Sequence, residues 1–236
     1  MKYPLILLLF ISLPTLLFGQ DAASDLLRKG KESHEKKDLA AAVKYYEEAV
    51  KADPSRAEAY YLLGNAKFDL QDYNNAISQY TTCLKLDPSF IHAMYNRANA
   101  WFELQQFDAA LKDFDRTIRL DSTYFDAYFD RGSTLYKLGR FREAIDNITR
   151  GIALDKDEPN AYYDRANCFF QLDKFSEALD DYNRAIRLNQ DNPDFFFNRA
   201  LAEFNLELSE DGCKDLESAK KLGDSQAAGY MKELCK

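Results

Sequence analysis

The sequence contains few of the residues on which most catalytic and metal sites depend. It has two histidines, His34 and His92, far apart along the chain, and no Cys-x-x-Cys or His-x-x-x-His spacing. Zinc sites use closely spaced ligands of this kind, so a metal site is not indicated. Nine glycines leave little room for a phosphate-binding loop, and no cysteine or serine stands in a recognisable nucleophile setting. We therefore expect a protein that is not an enzyme and that binds no cofactor and no metal.

Basic residues are outnumbered by acidic ones. The chain has 31 Lys and Arg against 39 Asp and Glu, which gives a formal net charge of −8 at pH 7. An acidic surface repels phosphate groups, which argues against binding to nucleic acid and to anionic membranes. We therefore expect no nucleic acid among the partners of this protein, and no small-molecule substrate is expected either.

What the chain does contain is one short unit copied about six times. The clearest series places a large apolar residue every 34 residues, at Tyr46, Tyr80, Phe114, Ile148, Tyr182 and Leu216. A second series keeps the same interval, at Ala42, Ala76, Ala110, Ala144 and Ala178. Self-similarity of this length indicates a solenoid, in which no single unit can bury its apolar face alone.

Each unit has the pattern of two helices. In the second unit, one stripe at helical spacing is formed by Tyr60, Leu63, Gly64 and Lys67, and another by Ala76, Tyr80 and Cys83. A short polar joint separates the stripes, and Pro88 ends the second helix. Each unit is therefore predicted to be a pair of antiparallel helices. The small residues Gly30, Gly64 and Gly132 are predicted to lie where the paired helices approach closely.

The units resemble the tetratricopeptide repeat family, whose pattern is an aromatic residue, Leu-Gly, Tyr, and then Ala, Phe and Pro. The second unit matches best, through Tyr60, Leu63, Gly64, Ala76, Tyr80 and Pro88. Lys67 departs from the pattern at the family's tyrosine, as do Ser122, Lys156 and Gln190 at the turn proline. The resemblance implies an all-α fold, a right-handed α-solenoid of about six helix-turn-helix repeats with a C-terminal capping helix. It also implies binding of partners in a concave groove.

The chain divides into eight predicted segments. They are a signal peptide (1–20), repeat 1 (23–56), repeat 2 (57–90), repeat 3 (91–124), repeat 4 (125–158), repeat 5 (159–192), a degenerate repeat 6 (193–224) and a capping helix (225–236). A solenoid needs such a cap to cover its last apolar face.

The first twenty residues have the layout of a secretory signal peptide. A single Lys2 precedes an apolar run from Leu5 to Phe18, and Gly19 and Gln20 follow as the exit. An uncleaved membrane anchor is the alternative, although the run is shorter than the ~20 residues that a spanning helix needs. We expect an exported protein that is periplasmic or secreted after cleavage.

The four cysteines fall into two groups. Cys83 and Cys168 take places that alanine fills in other repeats, so they are expected to be buried and inert. Cys213 and Cys235 lie in the atypical last repeat and the tail, a stretch that is similar to the closing unit of exported bacterial tetratricopeptide proteins. In an exported protein, such a pair is expected to form a disulfide that ties the terminal helix to the last repeat.

A series of arginines occupies the seventh place of successive units: Arg97, Arg131, Arg165 and Arg199. Sixteen residues later stand Asp113, Asn147, Asp181 and Asp215. One interpretation is that each pair meets across the two helices of its unit. The alternative is that the arginines face the groove and bind a carboxylate of the ligand.

The resemblance also implies which residues face the groove, because the fifth, ninth and twelfth residues of the first helix tend to do so in the family. Transferred to this sequence, they are Tyr61, Asn65, Phe68, Tyr95, Asn99, Phe102, Phe129, Ser133, Tyr136, Tyr163, Asn167, Phe170, Phe197, Leu201 and Phe204. Asparagine can pair with the backbone of an extended peptide, and aromatic rings can bury its side chains. The alternative is that the aromatic residues only pack between repeats and that the asparagines bridge helices.

Two functions from different classes remain open. The first is a non-catalytic scaffold that binds a peptide segment or helix of a partner protein in its groove, during assembly of an envelope complex. The second is a structural subunit that stacks with itself or with other solenoid proteins. Exposed apolar residues in the groove would favour the first, and exposed apolar residues on the terminal faces the second.

Overall fold

The computed structural model describes residues 13–235, with side chains from residue 22 onward. Thirteen α-helices and no strand occur in this part of the chain, so the all-α prediction is confirmed. The predicted signal peptide falls mainly outside the described residues, and its last part is the beginning of the first helix, Leu13–Glu35. No helix within residues 13–235 is long and apolar enough to cross a membrane.

The first of two compact units is Met1–Leu104. Its described helices are α1 (Leu13–Glu35), α2 (Leu39–Ala52), α3 (Ala57–Asp69), α4 (Tyr73–Leu86) and α5 (Ile91–Glu103). Each helix packs against the next one along the chain, as expected for stacked helix pairs. The core between them contains the buried side chains of Leu27, Tyr46, Leu63, Tyr80 and Met94.

The second unit is Gln105–Lys236. Its helices are α6 (Phe107–Leu120), α7 (Phe125–Lys137), α8 (Phe141–Leu154), α9 (Pro159–Phe170), α10 (Phe175–Leu188), α11 (Pro193–Asn205), α12 (Ser209–Lys221) and α13 (Ala227–Leu234). Successive helices again pack against each other. Among α1 to α12, the odd-numbered helices are the first helices of their repeats and the even-numbered helices are the second, and α13 follows the last repeat.

Two kinds of turn connect the helices. Within a repeat, the chain passes through a left-handed residue with φ between 57° and 71°, at Lys37, Gln71, Gln105, Gly139, Asp173 and Glu207. Between repeats, an acidic or amide side chain accepts a hydrogen bond from the backbone N–H two residues later. Asp87, for example, accepts from Ser89 N at 2.9 Å. These bonds satisfy the backbone where the helix ends, which explains why the turn residues recur with the repeat.

Close approach of paired helices depends on small residues in the first helix. A Cβ placed on Gly64 would lie 2.5 Å from the ring of Tyr80, and one on Gly132 would lie 2.5 Å from Ile148 Cγ1. Tyr80 is fully buried at this contact. The glycines therefore allow a large side chain of the second helix to reach the backbone of the first.

The arginines of the series connect the first helix of their repeat to neighbouring second helices. Arg165 donates two hydrogen bonds to the carboxylate of Asp181, at 2.7 and 2.8 Å, and Arg199 donates two to Asp215, at 2.5 and 2.7 Å. Arg131 Nε donates to the side-chain oxygen of its counterpart Asn147 at 2.6 Å. Each arginine also binds a side chain sixteen residues earlier, on the preceding second helix; these partners are Thr81, Asp115, Thr149 and Asn183. These contacts support the structural interpretation over a carboxylate-binding role in the groove.

The four cysteines form one disulfide-bonded pair and two free, buried thiols. Cys213 on α12 and Cys235 after α13 form a disulfide, with their Cα atoms 5.7 Å apart. The last core cluster, which includes Leu216 and Ala227, packs against Met231 and Cys235 beneath this bond. Cys83 and Cys168 are free and buried, and burial raises the pKa of both thiols to about 12. Burial and a raised pKa disfavour the thiolate at neutral pH, so neither cysteine has the features of an activated nucleophile.

Candidate peptide-binding surface on the first helices

A cavity of about 330 Å³ opens on the first helices of the first unit, and we call it the amide cavity. It is lined by His34, Asn65, Phe68, Asp69, Tyr80, Asn96 and Asn99. Three of the predicted groove residues, Asn65, Phe68 and Asn99, are thus brought together at one site. The cavity is polar, because imidazole, amide, phenol and carboxylate groups surround it.

Asn65 already holds helices together at the floor of the amide cavity. Its side-chain oxygen accepts hydrogen bonds from Tyr80 Oη at 2.8 Å and from Asn96 Nδ2 at 2.9 Å. Its own NH₂ group makes no hydrogen bond within the described residues. Asn65 is therefore a structural bridge that still has a donor to offer a ligand. Asn99 makes no side-chain hydrogen bond in the described part of the chain. The position that corresponds to Tyr80 in its repeat is Phe114, which has no hydroxyl group to donate.

A second cavity of about 240 Å³, which we call the tyrosine cavity, lies between α7 and α9 in the second unit. Its lining consists of Ser133, Tyr136, Lys137, Tyr163, Asp164 and Asn167. Asn167 accepts a hydrogen bond from Tyr182 Oη at 2.6 Å, as Asn65 does from Tyr80. The same asparagine arrangement thus recurs in both units, each time beside an open cavity.

Aromatic residues at the fifth place of first helices pack against residues later in the chain, in their own repeat or at the start of the next one. The ring centroids of Tyr61 and Phe90 are 4.9 Å apart, as are those of Tyr163 and Phe195. Phe129 lies against Gly151, where an added Cβ would be 2.3 Å from the ring. These side chains contribute to the core of the solenoid, and Phe129 and Tyr163 also line cavities.

Aromatic residues at the twelfth place pack within their own repeat. The ring pairs Phe68–Tyr73, Tyr136–Phe141 and Phe170–Phe175 have centroids 5.2 or 5.3 Å apart in T-shaped contacts. Tyr95 and Phe102 lie on α5 and are half-buried. Most predicted groove aromatics therefore pack within the fold and keep part of their surface exposed, and contact with a ligand stays a prediction for them.

A third cavity, of about 270 Å³, adjoins the tyrosine cavity in the second unit, and we call it the acidic cavity. It is lined by Asp126, Phe129, Asp130, Ser133, Ile148, Glu158, Asn160, Ala161 and Asp164. The sequence interpretation included only Phe129 and Ser133 from this site. A usable signal was the sixth place of each first helix, which holds Asn96, Asp130, Asp164 and Asn198 in consecutive repeats.

Asp164 is the carboxylate that the tyrosine and acidic cavities share. It accepts a hydrogen bond from Ser133 Oγ at 3.0 Å. Burial raises its pKa, against opposing effects of Ser133 and Lys137. The pKa of Asp126 is also raised, first by burial and then by the nearby charges of Glu158 and Asp155. The acidic cavity thus gathers carboxylates in a partly desolvated space.

Four family models cover residues 30 to 192 without a gap. Models described as tetratricopeptide repeat match residues 61–125, 125–158 and 159–192, and one described as TPR repeat matches 30–71. The chain belongs to the tetratricopeptide repeat family. A tetratricopeptide repeat fold is in general a non-catalytic module for protein–protein interaction, and membership supports a role as an interaction scaffold.

Solved structures of other tetratricopeptide repeat proteins have the same fold. A crystal structure of MamA protein has a TM-score of 0.67 at 24% identity, covering 72% of this chain and 93% of that one. YrrB, described as a TPR protein with an unusual peptide-binding site, has a TM-score of 0.68 at 21% identity, covering 80% and 98%. PilF of Pseudomonas aeruginosa has a TM-score of 0.78 at 14% identity, covering 92% and 99%. A comparison with curated protein sequences gave no match.

Proposed function

We propose that the protein is a scaffold that binds an extended segment of a partner protein along the first helices of its repeats. The observation that carries this proposal is the placement of the cavities. The amide cavity and the tyrosine cavity are each lined by asparagine and aromatic residues at the ninth, twelfth or fifth places of first helices.

The chemistry of both cavities suits a peptide. Asparagine and tyrosine side chains provide donors and acceptors for a backbone that is not paired within its own chain. Half-buried rings beside them can cover the apolar side chains of the segment. Volumes of about 330 and 240 Å³ suit single side chains better than a folded domain. A peptide-binding relative, YrrB, has the same fold.

The proposal includes export and a role in assembling a complex of the cell envelope. Its support is the apolar stretch Leu5–Phe18, which has the composition of a signal peptide. The disulfide between Cys213 and Cys235 agrees with it, because disulfides persist in oxidising compartments and are rare in the cytosol. Fractionation of cells that produce the protein, followed by N-terminal sequencing, tests this part directly. An uncleaved N-terminus in the cytosolic fraction would contradict export.

Binding by the first helices is tested by a pull-down from native envelope extracts. The full-length protein is compared with a variant in which Asn65, Asn99 and Asn167 are changed to Ala. We expect specific partners to be lost, while circular dichroism shows that the helices remain. The matched control is Asn74→Ala, an exposed asparagine on the second helix α4. Equal recovery of partners by all three proteins would contradict the proposal.

Stacking of subunits is the alternative function, and it has some support at the C-terminal end. Tyr230 and Leu234 of α13 have 36% and 43% of their surface exposed. Sedimentation velocity of the purified protein separates the two functions. A concentration-dependent oligomer would favour stacking if the double variant Tyr230→Ser and Leu234→Ser no longer forms it. A protein that stays monomeric would contradict stacking and favour the peptide-binding scaffold.

A further inference from the structure

Asn99 lines the amide cavity without having the structural role of its counterparts in other repeats. At the ninth place of their first helices, Asn65 and Asn167 each accept a hydrogen bond from a tyrosine of the second helix, at 2.8 and 2.6 Å. That position is Phe114 in the repeat of Asn99, and Asn99 makes no side-chain hydrogen bond within the described residues. Bridging between helices therefore does not explain why an asparagine stands at this position.

Two further amide groups in the amide cavity are only partly used. The side-chain oxygen of Asn65 accepts from Tyr80 Oη and from Asn96 Nδ2, whereas the NH₂ group of Asn65 makes no hydrogen bond in the described part of the chain. Asn96 donates one side-chain N–H in this contact, and its side-chain oxygen accepts no hydrogen bond from a described residue. The cavity thus presents N–H donors of all three asparagines, together with the side-chain oxygens of Asn96 and Asn99.

A charged group of a ligand would complement this lining poorly. The lining contains no lysine or arginine, and its one carboxylate, that of Asp69, lies 2.6 Å from Nε2 of His34. A ligand carboxylate would approach Asp69 without meeting a lysine or arginine. An ammonium or guanidinium group could reach Asp69, but it has no acceptor for the N–H groups of the asparagines. A primary amide has an acceptor oxygen and an NH₂ group, so it can pair with both kinds of unpaired group.

We propose that the amide cavity receives an asparagine or glutamine side chain of the partner segment, so that the scaffold selects segments with an amide at this position. This inference rests on the proposed function, because it assigns a side-chain specificity to the same first-helix surface. The oxygen of the ligand amide accepts from Asn65 and Asn99, and its NH₂ group donates to the side-chain oxygen of Asn96. A cavity of about 330 Å³ accommodates such a side chain, and the ring of Phe68 can cover its methylene groups.

Recognition of the peptide backbone alone is the competing explanation, because a backbone also carries carbonyl and N–H groups. The two explanations differ in their dependence on sequence. Backbone recognition tolerates any side chain, whereas a site for an amide makes affinity depend on one position of the segment. An apolar side chain of similar size at that position would leave the N–H groups of the cavity without a partner, which is costly in a desolvated place.

The test begins with selection of random 12-residue peptides displayed on phage against the full-length protein. We expect enriched clones to share an Asn or Gln at one aligned position. The most enriched sequence is then synthesised with a fluorescent label, together with a version in which this residue is replaced by an apolar one of similar size, Leu for Asn or Met for Gln. Fluorescence anisotropy measures both dissociation constants. The apolar version should bind about tenfold more weakly, a typical effect of leaving one desolvated polar group unpaired.

Two variants assign the preference to the amide cavity. Asn99→Leu removes no hydrogen bond of the described structure. Asn65→Asp keeps an oxygen that accepts from Tyr80 and Asn96 but removes the NH₂ group. We expect the tenfold preference for the amide peptide to fall below about twofold in Asn99→Leu and to be reduced in Asn65→Asp. Because the two variants are measured separately, one of them decides the test if circular dichroism shows that the other is unfolded.

The matched control is Asn74→Leu, at an exposed asparagine of α4 outside the lining of the amide cavity. We expect it to keep the wild-type preference. Enriched clones that bind but share no Asn or Gln would overturn the inference in favour of backbone recognition and leave the proposed function standing. A preference that Asn99→Leu retains in full would also overturn the inference, because the amide would then bind elsewhere. Enrichment of no clone of any composition would overturn the proposed function as well.

Discussion

The guanidinium of Arg165 and the carboxylate of Asp181 form two parallel hydrogen bonds between the first and second helices of one repeat. Both side chains are largely buried, with 18% and 10% of their surface exposed. The same guanidinium also donates to Thr149 on the preceding second helix. Stability of the pair and stability of the contact between repeats therefore depend on the same residue.

Replacing Arg165 with Leu should destabilise the protein by about 3 kcal/mol, because Asp181 would be left as a buried, unpaired charge. The measurement is urea denaturation followed by circular dichroism. Arg187→Leu, at an exposed position on the neighbouring helix α10, is the control and should change stability by less than about 0.5 kcal/mol. A similar loss in both variants would show that the effect comes from charge removal in general.

Replacing Gly64 with alanine should lower the stability of the fold, although alanine favours the helix more than glycine does. Gly64→Ala would place a Cβ 2.5 Å from the ring of the fully buried Tyr80. We expect a net loss of about 1 to 3 kcal/mol in thermal or chemical denaturation, since overpacking outweighs the gain in helix propensity. Gly229→Ala on α13 meets nothing within 4 Å and should be neutral or stabilising. Stabilisation by both substitutions would contradict the close contact.

Reduction of the disulfide should loosen the C-terminal end of the second unit. Cys213 and Cys235 are separated by 22 residues, and closing a loop of this length stabilises by about 3 kcal/mol in the chain-entropy description. We expect a reducing agent to lower the melting temperature of the wild type. The double variant Cys213→Ala and Cys235→Ala should already melt lower and should not respond to reduction. A response of the double variant would point to Cys83 or Cys168 instead.

The helix pairs could be predicted from the sequence because their determinants are local or recur with the repeat. The apolar stripe that includes Tyr80 indicates a helix, and Asp87 indicates the turn that follows it. Both signals lie within a few residues of the structure that they indicate. Likewise, the link between Arg165 and Asp181 could be inferred because the two residues change together among repeats within one chain.

Contacts between successive repeats were harder to predict. The partner of Arg165 on the preceding helix is Thr149, and the corresponding partner of Arg199 is Asn183. Thr149 and Asn183 differ in type and have in common only that each offers a side-chain oxygen as acceptor. A recurring residue type therefore does not mark these positions in the sequence. The acidic cavity was missed for a related reason, because it forms between the beginnings of α7 and α9 and depends on how neighbouring repeats stack.

Glu203 should make stability depend on pH in a direction opposite to that of most carboxylates. It is buried, its Oε2 has no hydrogen-bond partner in the described structure, and burial together with the charge of Asp215 raises its pKa from 4.5 to about 7. The folded state therefore binds a proton more tightly than the unfolded state does. This contribution to stability is present below about pH 4.5 and is lost as the pH rises through about 7.

The measurement that isolates this effect is the difference in unfolding free energy between Glu203→Gln and wild type across pH 4 to 9. Glutamine keeps the shape of the protonated acid without a charge, so the variant should gain stability relative to wild type as the pH rises. We expect a relative gain on the order of 3 kcal/mol between the two ends of the range, because each unit of pKa shift corresponds to about 1.4 kcal/mol. Glu233→Gln on α13 is the control, and its difference from wild type should stay flat. A flat profile for Glu203→Gln as well would mean that Glu203 is ionised in the folded protein and is compensated by Arg199.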